Sequence, residues 1–320
     1  MTHKRSILAG GVPAAAGLLL IALAAAPLWA ADNPNRPAAP VKLIFIHHSC
    51  GENWLTDGNG DLGIGLRDNN YFVSDTNYGW GPDNIGDFTD IGNFWTWFCG
   101  PKSAKYLAAL YKEGARSGEF YSRLEKDPGG ENVIVMFKSC YPNSTLGGNP
   151  NNPPLAGKNP LRGQDCGSEY HAVGNAKGIY NDLLGYFKTR QDKLFILVTA
   201  PPQSKNETDA EHAACARGLS DWLVNEWLKD YPHKNVAVYN FYNVLTSNGG
   251  SPNKNDAGKE AGNHHRLWNG QVQHQKTVNS NFSAYPSASD DSHPTAAGNK
   301  KATEEFAKWL NVMVNRWREL

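Results

Sequence analysis

Three side chains drawn from opposite ends of the chain could perform nucleophilic chemistry. The apolar run Val41-Lys-Leu-Ile-Phe-Ile46 leads directly into His47-His48-Ser49-Cys50-Gly51. A serine on a strand-to-helix turn presents its hydroxyl at the sheet edge, where the following backbone N–H groups can bind an oxyanion. Such a serine needs a base, and the base needs an orienting carboxylate. Near the other end lies Asp290-Asp291-Ser292-His293-Pro294. Pro294 suits the first position of a helix, which leaves His293 free to face a cleft. Asp290, three residues before His293, is within reach of a short turn that sets its carboxylate against the imidazole Nδ1–H. The expectation is a Ser49–His293–Asp290 triad that breaks an acyl bond. The plain alternative is that Ser49 and His293 only cap helices.

Other groups compete for attention. His47, His48, His264, His265, His274 and His293 raise the question of a metal. No spacing such as His-Glu-x-x-His occurs, and strand neighbours such as His47 and His48 point to opposite faces. Neither a metal nor a cofactor is expected. Asp57-Gly-Asn-Gly-Asp61 places oxygens at positions 1, 3 and 5 of a calcium loop, with Asp68 at position 12. Leu62 stands where that loop needs glycine, and Asp68 replaces its glutamate, so a Gly-rich turn is the competing reading. Cys50 is an alternative nucleophile, and Cys50–Cys140 or Cys166–Cys215 are conceivable disulfides in an exported protein. Trp54 and Trp80 lie in a stretch rich in aromatics, Asn and Asp, a composition suited to sugar surfaces. With His264 they are the expected substrate contacts. A catalytically inactive carbohydrate-binding protein is therefore the second functional reading.

These residues need elements to hold them. Val133-Ile-Val-Met-Phe137, Leu194-Phe-Ile-Leu-Val198 and Val236-Ala-Val-Tyr239 repeat the compact apolar run of residues 41–46, as strands buried on both faces do. Ile179, Leu183 and Phe187 fall at helical spacing, as do Leu219, Trp222, Leu223 and Trp227. Phe306, Trp309, Leu310, Met313 and Trp317 predict a last helix. Strands alternating with helices predict a mainly parallel sheet covered on both faces. Residues 51–100 and 142–165 break this alternation and read as long loops at the carboxyl edge, where open α/β sheets bind ligands.

The Ser after the first strand and the Asp-x-x-His before the last helix resemble the SGNH (GDSL-like) hydrolases, as does Ala200-Pro201-Pro202 after the third apolar run. The resemblance covers most of residues 41–320. It implies a flavodoxin-like three-layer α/β/α fold and an ester hydrolase that uses no cofactor. It also implies an oxyanion hole made by the Ser49 amide, a Gly after the second strand and an Asn. Gly81, ahead of Gly79, and Asn143 are the positions that match. The chain departs from the family in two blocks: His47-His48-Ser49 replaces Gly-Asp-Ser, and Gly-x-Asn-Asp is absent.

Composition bounds the partners. The 320 residues carry 31 Lys+Arg and 31 Asp+Glu, with 40% hydrophobic and 19% charged residues. The hydrophobic share excludes a disordered chain, and the balance of charge gives a nucleic-acid backbone nothing to grip. Lys4 and Arg5 precede an uncharged stretch to Ala31 with an apolar centre and a small-residue end. That pattern is a secretory signal, against an uncleaved anchor interrupted by Pro13 and Pro27. Residues 1–31 are thus read as the signal, 32–40 as a linker and 41–320 as one domain. Removing the signal leaves 29 basic and 31 acidic residues, a net charge of −2. A secreted or periplasmic enzyme follows, with a small-molecule or polysaccharide ester as substrate and no lasting membrane insertion.

Overall fold

Five strands align in parallel in the computed structural model, which describes residues 1–3 and 32–319. They are β1 (Val41–Ile46), β2 (Tyr71–Thr76), β3 (Ile134–Lys138), β4 (Leu194–Val198) and β5 (Val236–Tyr239). Their order is β2-β1-β3-β4-β5, the flavodoxin-like arrangement with its switch point between β1 and β3. Every residue of the five strands is buried, because both faces of the sheet are covered.

Alternation along each strand feeds two apolar layers. Ile44, Ile46, Val135, Phe137, Phe195 and Leu197 pack against α3 (Ile91–Phe98), α5 (Val173–Phe187) and α6 (Ala210–Asn225). Leu43, Phe45, Met136, Ile196 and Tyr239 pack against α1 (Ser49–Leu55), α2 (Leu62–Asp68) and α8 (Ala296–Arg318). The remaining helices are α4 (Ser103–Lys112) and α7 (Phe241–Val244). Two antiparallel hairpins complete the order, β6 (Asn263–Trp268) with β7 (Gln271–Lys276), and β8 (Pro286–Ala288) with β9 (Asp291–Pro294).

Three features differ from the sequence expectations. Residues 51–100 are not one loop but contain α1, α2, β2 and α3. The sequence Tyr-Phe-Val-Ser-Asp-Thr hid β2, because its second half, Ser74, Asp75 and Thr76, is polar yet buried, with Ser74 and Asp75 held by side-chain hydrogen bonds. Pro294 ends a strand, and α8 begins only after Thr295. The apolar segment read as an export signal lies outside the described residues. Among the described residues no helix is long and apolar enough to cross a membrane.

Candidate active site

The turn from β1 into α1 is tight. Gly51 N–H and Glu52 N–H both donate to the His48 carbonyl, at 2.7 and 3.0 Å. A Cβ on Gly51 would stand 2.3 Å from His47 Cβ, so glycine is required where the helix folds back over the strand. His47 is wholly buried beneath this turn. Its Nδ1 lies 3.0 Å from the His48 carbonyl oxygen and its Nε2 lies 3.1 Å from Asp75 Oδ2. Asp75 also accepts from the Ser117 amide and the Tyr121 hydroxyl, at 2.9 and 2.7 Å. Burial works against its charge, but His47, Ser117 and Tyr121 outweigh that and hold the carboxyl below the usual range. This buried pair braces the backbone on which Ser49 stands.

Ser49 and His293 meet as their chemistry requires. The Ser49 hydroxyl donates to His293 Nε2 at 2.8 Å, across 244 positions of sequence. His293 Nδ1–H donates to Asp291 Oδ1 at 2.5 Å. The carboxylate is therefore Asp291, a correction to the expectation of Asp290. Asp290 lies exposed in the turn between β8 and β9. Strand alternation explains the difference: residues two apart in β9 share a face, so Asp291 and His293 point together while Ser292 points away. Partial burial opposes ionisation of Asp291, yet bonds from the His293 amide and ring and from Ser287 keep its carboxyl below the usual range. Tyr141 packs edge-on against the His293 ring, with centroids 5.0 Å apart.

The remaining expected residues separate into those near this site and those elsewhere. Asn143 lies in the 3₁₀ turn Tyr141–Ser144, which begins at Cys140. Cys140 Sγ is 3.8 Å from Ser49 Oγ. The Asn143 carbonyl oxygen accepts from the Ile91 amide at 2.9 Å, and its Nδ2 donates to Asp90 at 2.5 Å. One N–H of that amide is thus spent on Asp90 at the start of α3. Gly81 opens the 3₁₀ turn Pro82–Asp87 with φ +77, and Ile85 is its neighbour. The residue of this loop that meets Ser49 is Tyr78. Its ring stacks on His48 with centroids 3.9 Å apart. Burial raises the phenol pKa, while the Ser49 hydroxyl and amide beside its oxygen draw it down. Nothing in the local sequence marked Tyr78, because its approach depends on the loop after β2 folding back over the turn.

Two of the three expected substrate contacts, Trp54 and His264, belong to the interior, while Trp80 is half-buried. Trp54 is fully buried, stacks on Phe241 and donates its indole N–H to Thr303 at 2.9 Å. His264 is fully buried on β6 and donates to Glu305 at 2.7 Å. Trp80 stacks on Trp97 and donates to Glu113 at 2.7 Å, so its polar edge is used within the fold. The calcium-like carboxylates are likewise engaged: Asp57 accepts from Ser122, and Asp61 from the Gly58 amide and Lys300. Cys50, Cys140, Cys166 and Cys215 are free thiols. Burial and the neighbouring Cys140 thiol push Cys50 well above the ordinary range. A protonated, enclosed thiol is a poor nucleophile, so Ser49 is the better placed of the two adjacent candidates.

Ser49 follows β1 and Asn143 follows β3, so the candidate site sits at the carboxyl ends of the two strands flanking the switch point. Comparison of the chain with protein-family models, curated proteins and solved structures finds no match.

Proposed function

We propose that the protein is an exported serine ester hydrolase of the SGNH type. One observation carries this reading: the continuous chain of hydrogen bonds from Asp291 through His293 to Ser49, at 2.5 and 2.8 Å. With Nδ1–H committed to Asp291, His293 Nε2 has its lone pair toward the Ser49 hydroxyl. It takes that proton as Ser49 Oγ attacks the ester carbonyl carbon. Asp291 stabilises the imidazolium that forms. The Ser49 amide is a donor available to the tetrahedral oxyanion. Collapse of this intermediate breaks the bond to the alcohol oxygen, which receives the proton from Nε2. Water, activated by the same imidazole, then releases the acid from Ser49. The uncharged apolar stretch between Arg5 and Asp32 supports export.

A fluorophosphonate probe followed by peptide mass spectrometry tests the assignment. Labelling at Ser49, with p-nitrophenyl acetate turnover falling to background in a folded Ser49→Ala variant, is the expected result. An unlabelled Ser49, or undiminished turnover by that variant, overturns it. Saccharide binding without labelling would favour an inactive carbohydrate-binding protein.

A further inference from the structure

The negative charge that builds on an attacked ester carbonyl needs donors fixed in advance, and the side chains expected to supply them are engaged elsewhere. Both polar atoms of the Asn143 side chain bond to the start of α3, the oxygen to the Ile91 amide and the nitrogen to Asp90. The Gly79 amide donates to Asp87 at 2.7 Å. Gly81 opens the 3₁₀ turn Pro82–Asp87, where a Cβ would meet the Ile85 side chain.

Tyr78 reaches the nucleophile instead. Asn77 is buried, and its side-chain oxygen accepts the Tyr78 amide at 3.0 Å, which anchors the start of the loop. The chain then turns on Gly79, with φ +70. It comes back through Gly86, whose carbonyl oxygen lies 2.7 Å from His48 Nε2. His48 immediately precedes Ser49, so this contact ties the loop to the turn that carries the nucleophile. The Tyr78 ring stacks on the His48 imidazole, with centroids 3.9 Å apart and planes at 23°. The Ser49 hydroxyl and amide stand beside its phenol oxygen. Yet Tyr78 is 61% exposed. A side chain that open gains little from burial, so packing of the core does not account for a phenol held over Ser49.

We propose that Tyr78 is a catalytic residue of this esterase, its hydroxyl donating to the oxyanion beside the Ser49 amide. The proposal rests on the esterase reading above. As Ser49 Oγ bonds to the carbonyl carbon, the π pair of the carbonyl moves onto its oxygen. That oxygen must come within reach of the Ser49 amide, and the phenol oxygen already stands there. Turning the phenol O–H toward the incoming oxygen gives a hydrogen bond to an anion, which is stronger than one to the neutral ester. The phenol keeps its proton throughout. When the oxyanion collapses, the carbonyl re-forms and the alcohol leaves with the proton from His293 Nε2.

Tyr78→Phe tests this, because it keeps the ring on His48 and removes the hydroxyl alone. With p-nitrophenyl acetate, kcat should fall about 10²-fold, as loss of one oxyanion donor implies, while KM stays within about twofold. Phenylboronic acid adds to Ser49 Oγ as a tetrahedral anion, and its affinity should fall in parallel. A role confined to packing against His48 would leave that affinity unchanged. A Tyr78→Phe kcat within about twofold of the parent overturns the proposal, and so does a loss of kcat with boronate affinity intact. In both cases a parent labelled at Ser49 by the phosphonate keeps the esterase reading. A parent that the phosphonate does not label removes both.

Discussion

Asp290 and Asp291 are adjacent and chemically identical, yet only one touches His293. The turn between β8 and β9 carries Asp290 outward, and the strand that follows turns Asp291 inward beside the imidazole. Asp291→Asn should lower kcat for ester hydrolysis by on the order of 10³–10⁴-fold, because an amide does not hold the required tautomer. Asp290→Asn should stay within about twofold of the parent. Steady-state kinetics on the two variants decide between them, and equal losses would contradict the assignment. Ser49 and His293 were legible because each adjoins a strongly patterned element. Choosing between Asp290 and Asp291 required knowing that residues 291–294 form a strand, and a proline at 294 argued for a helix instead. Trp54 and His264 misled for the opposite reason: residue type suggested a surface, while burial and the bonds to Thr303 and Glu305 put both inside.

The β1–α1 turn depends on its neighbour strand. β2 supplies Asp75, whose carboxylate meets His47 under the turn, and both side chains are wholly buried. Removing one partner of such a pair costs about 3 kcal/mol, because the other is left buried and uncompensated. Asp75→Asn should therefore lower the urea midpoint at pH 7. The Asp75 pKa is depressed in the folded protein, despite desolvation, by its bonds to His47, Ser117 and Tyr121. Its charge-dependent stabilisation is then complete above the unfolded value of about 3.9 and is lost as pH falls through the lower folded value. The gap between parent and variant should be constant from pH 7 to 5 and narrow below about pH 4. A gap that stays constant to pH 3 would show that the carboxylate's charge contributes nothing. β1, β3, β4 and β5 were legible as apolar runs. β2 was not, since Ser74 and Asp75 are buried against specific partners from distant segments, and periodicity carries no trace of such pairing.

Across the whole molecule, residues 32–320 form one compact unit, and the sheet order decides where its chemistry can stand. With β1 and β3 adjacent, Ser49 and Cys140 meet at 3.8 Å although 91 positions separate them. The α/β alternation predicted this edge, and the local composition of 142–165 marked one of its irregular segments. The segment 32–40 shows the limit of composition. Its Asn and Pro residues predict no helix or strand, and none forms, yet the segment is strapped to the domain. Asp32 pairs with Arg316 at 2.6 Å and accepts from the Val272 amide. The carbonyls of Asn33, Pro34 and Asn35 accept from Asn315 and Asn311 on α8, and that of Pro37 from Asn70. Backbone carbonyls are present in every sequence, so nothing in residue type announces this strap. A chain beginning at Asp32 should melt with these contacts intact, whereas one beginning at Val41 loses several hydrogen bonds worth about 0.5–1.5 kcal/mol each. For a domain of this size the second truncation should lower Tm by about 5 °C or more. Its Ser49–His293 site should still react with the phosphonate, because none of the lost contacts reaches β1, β3 or β9. Calorimetry on the two truncated chains provides the comparison, and identical melting temperatures would mean that residues 32–40 only drape over α8 and do not fasten it.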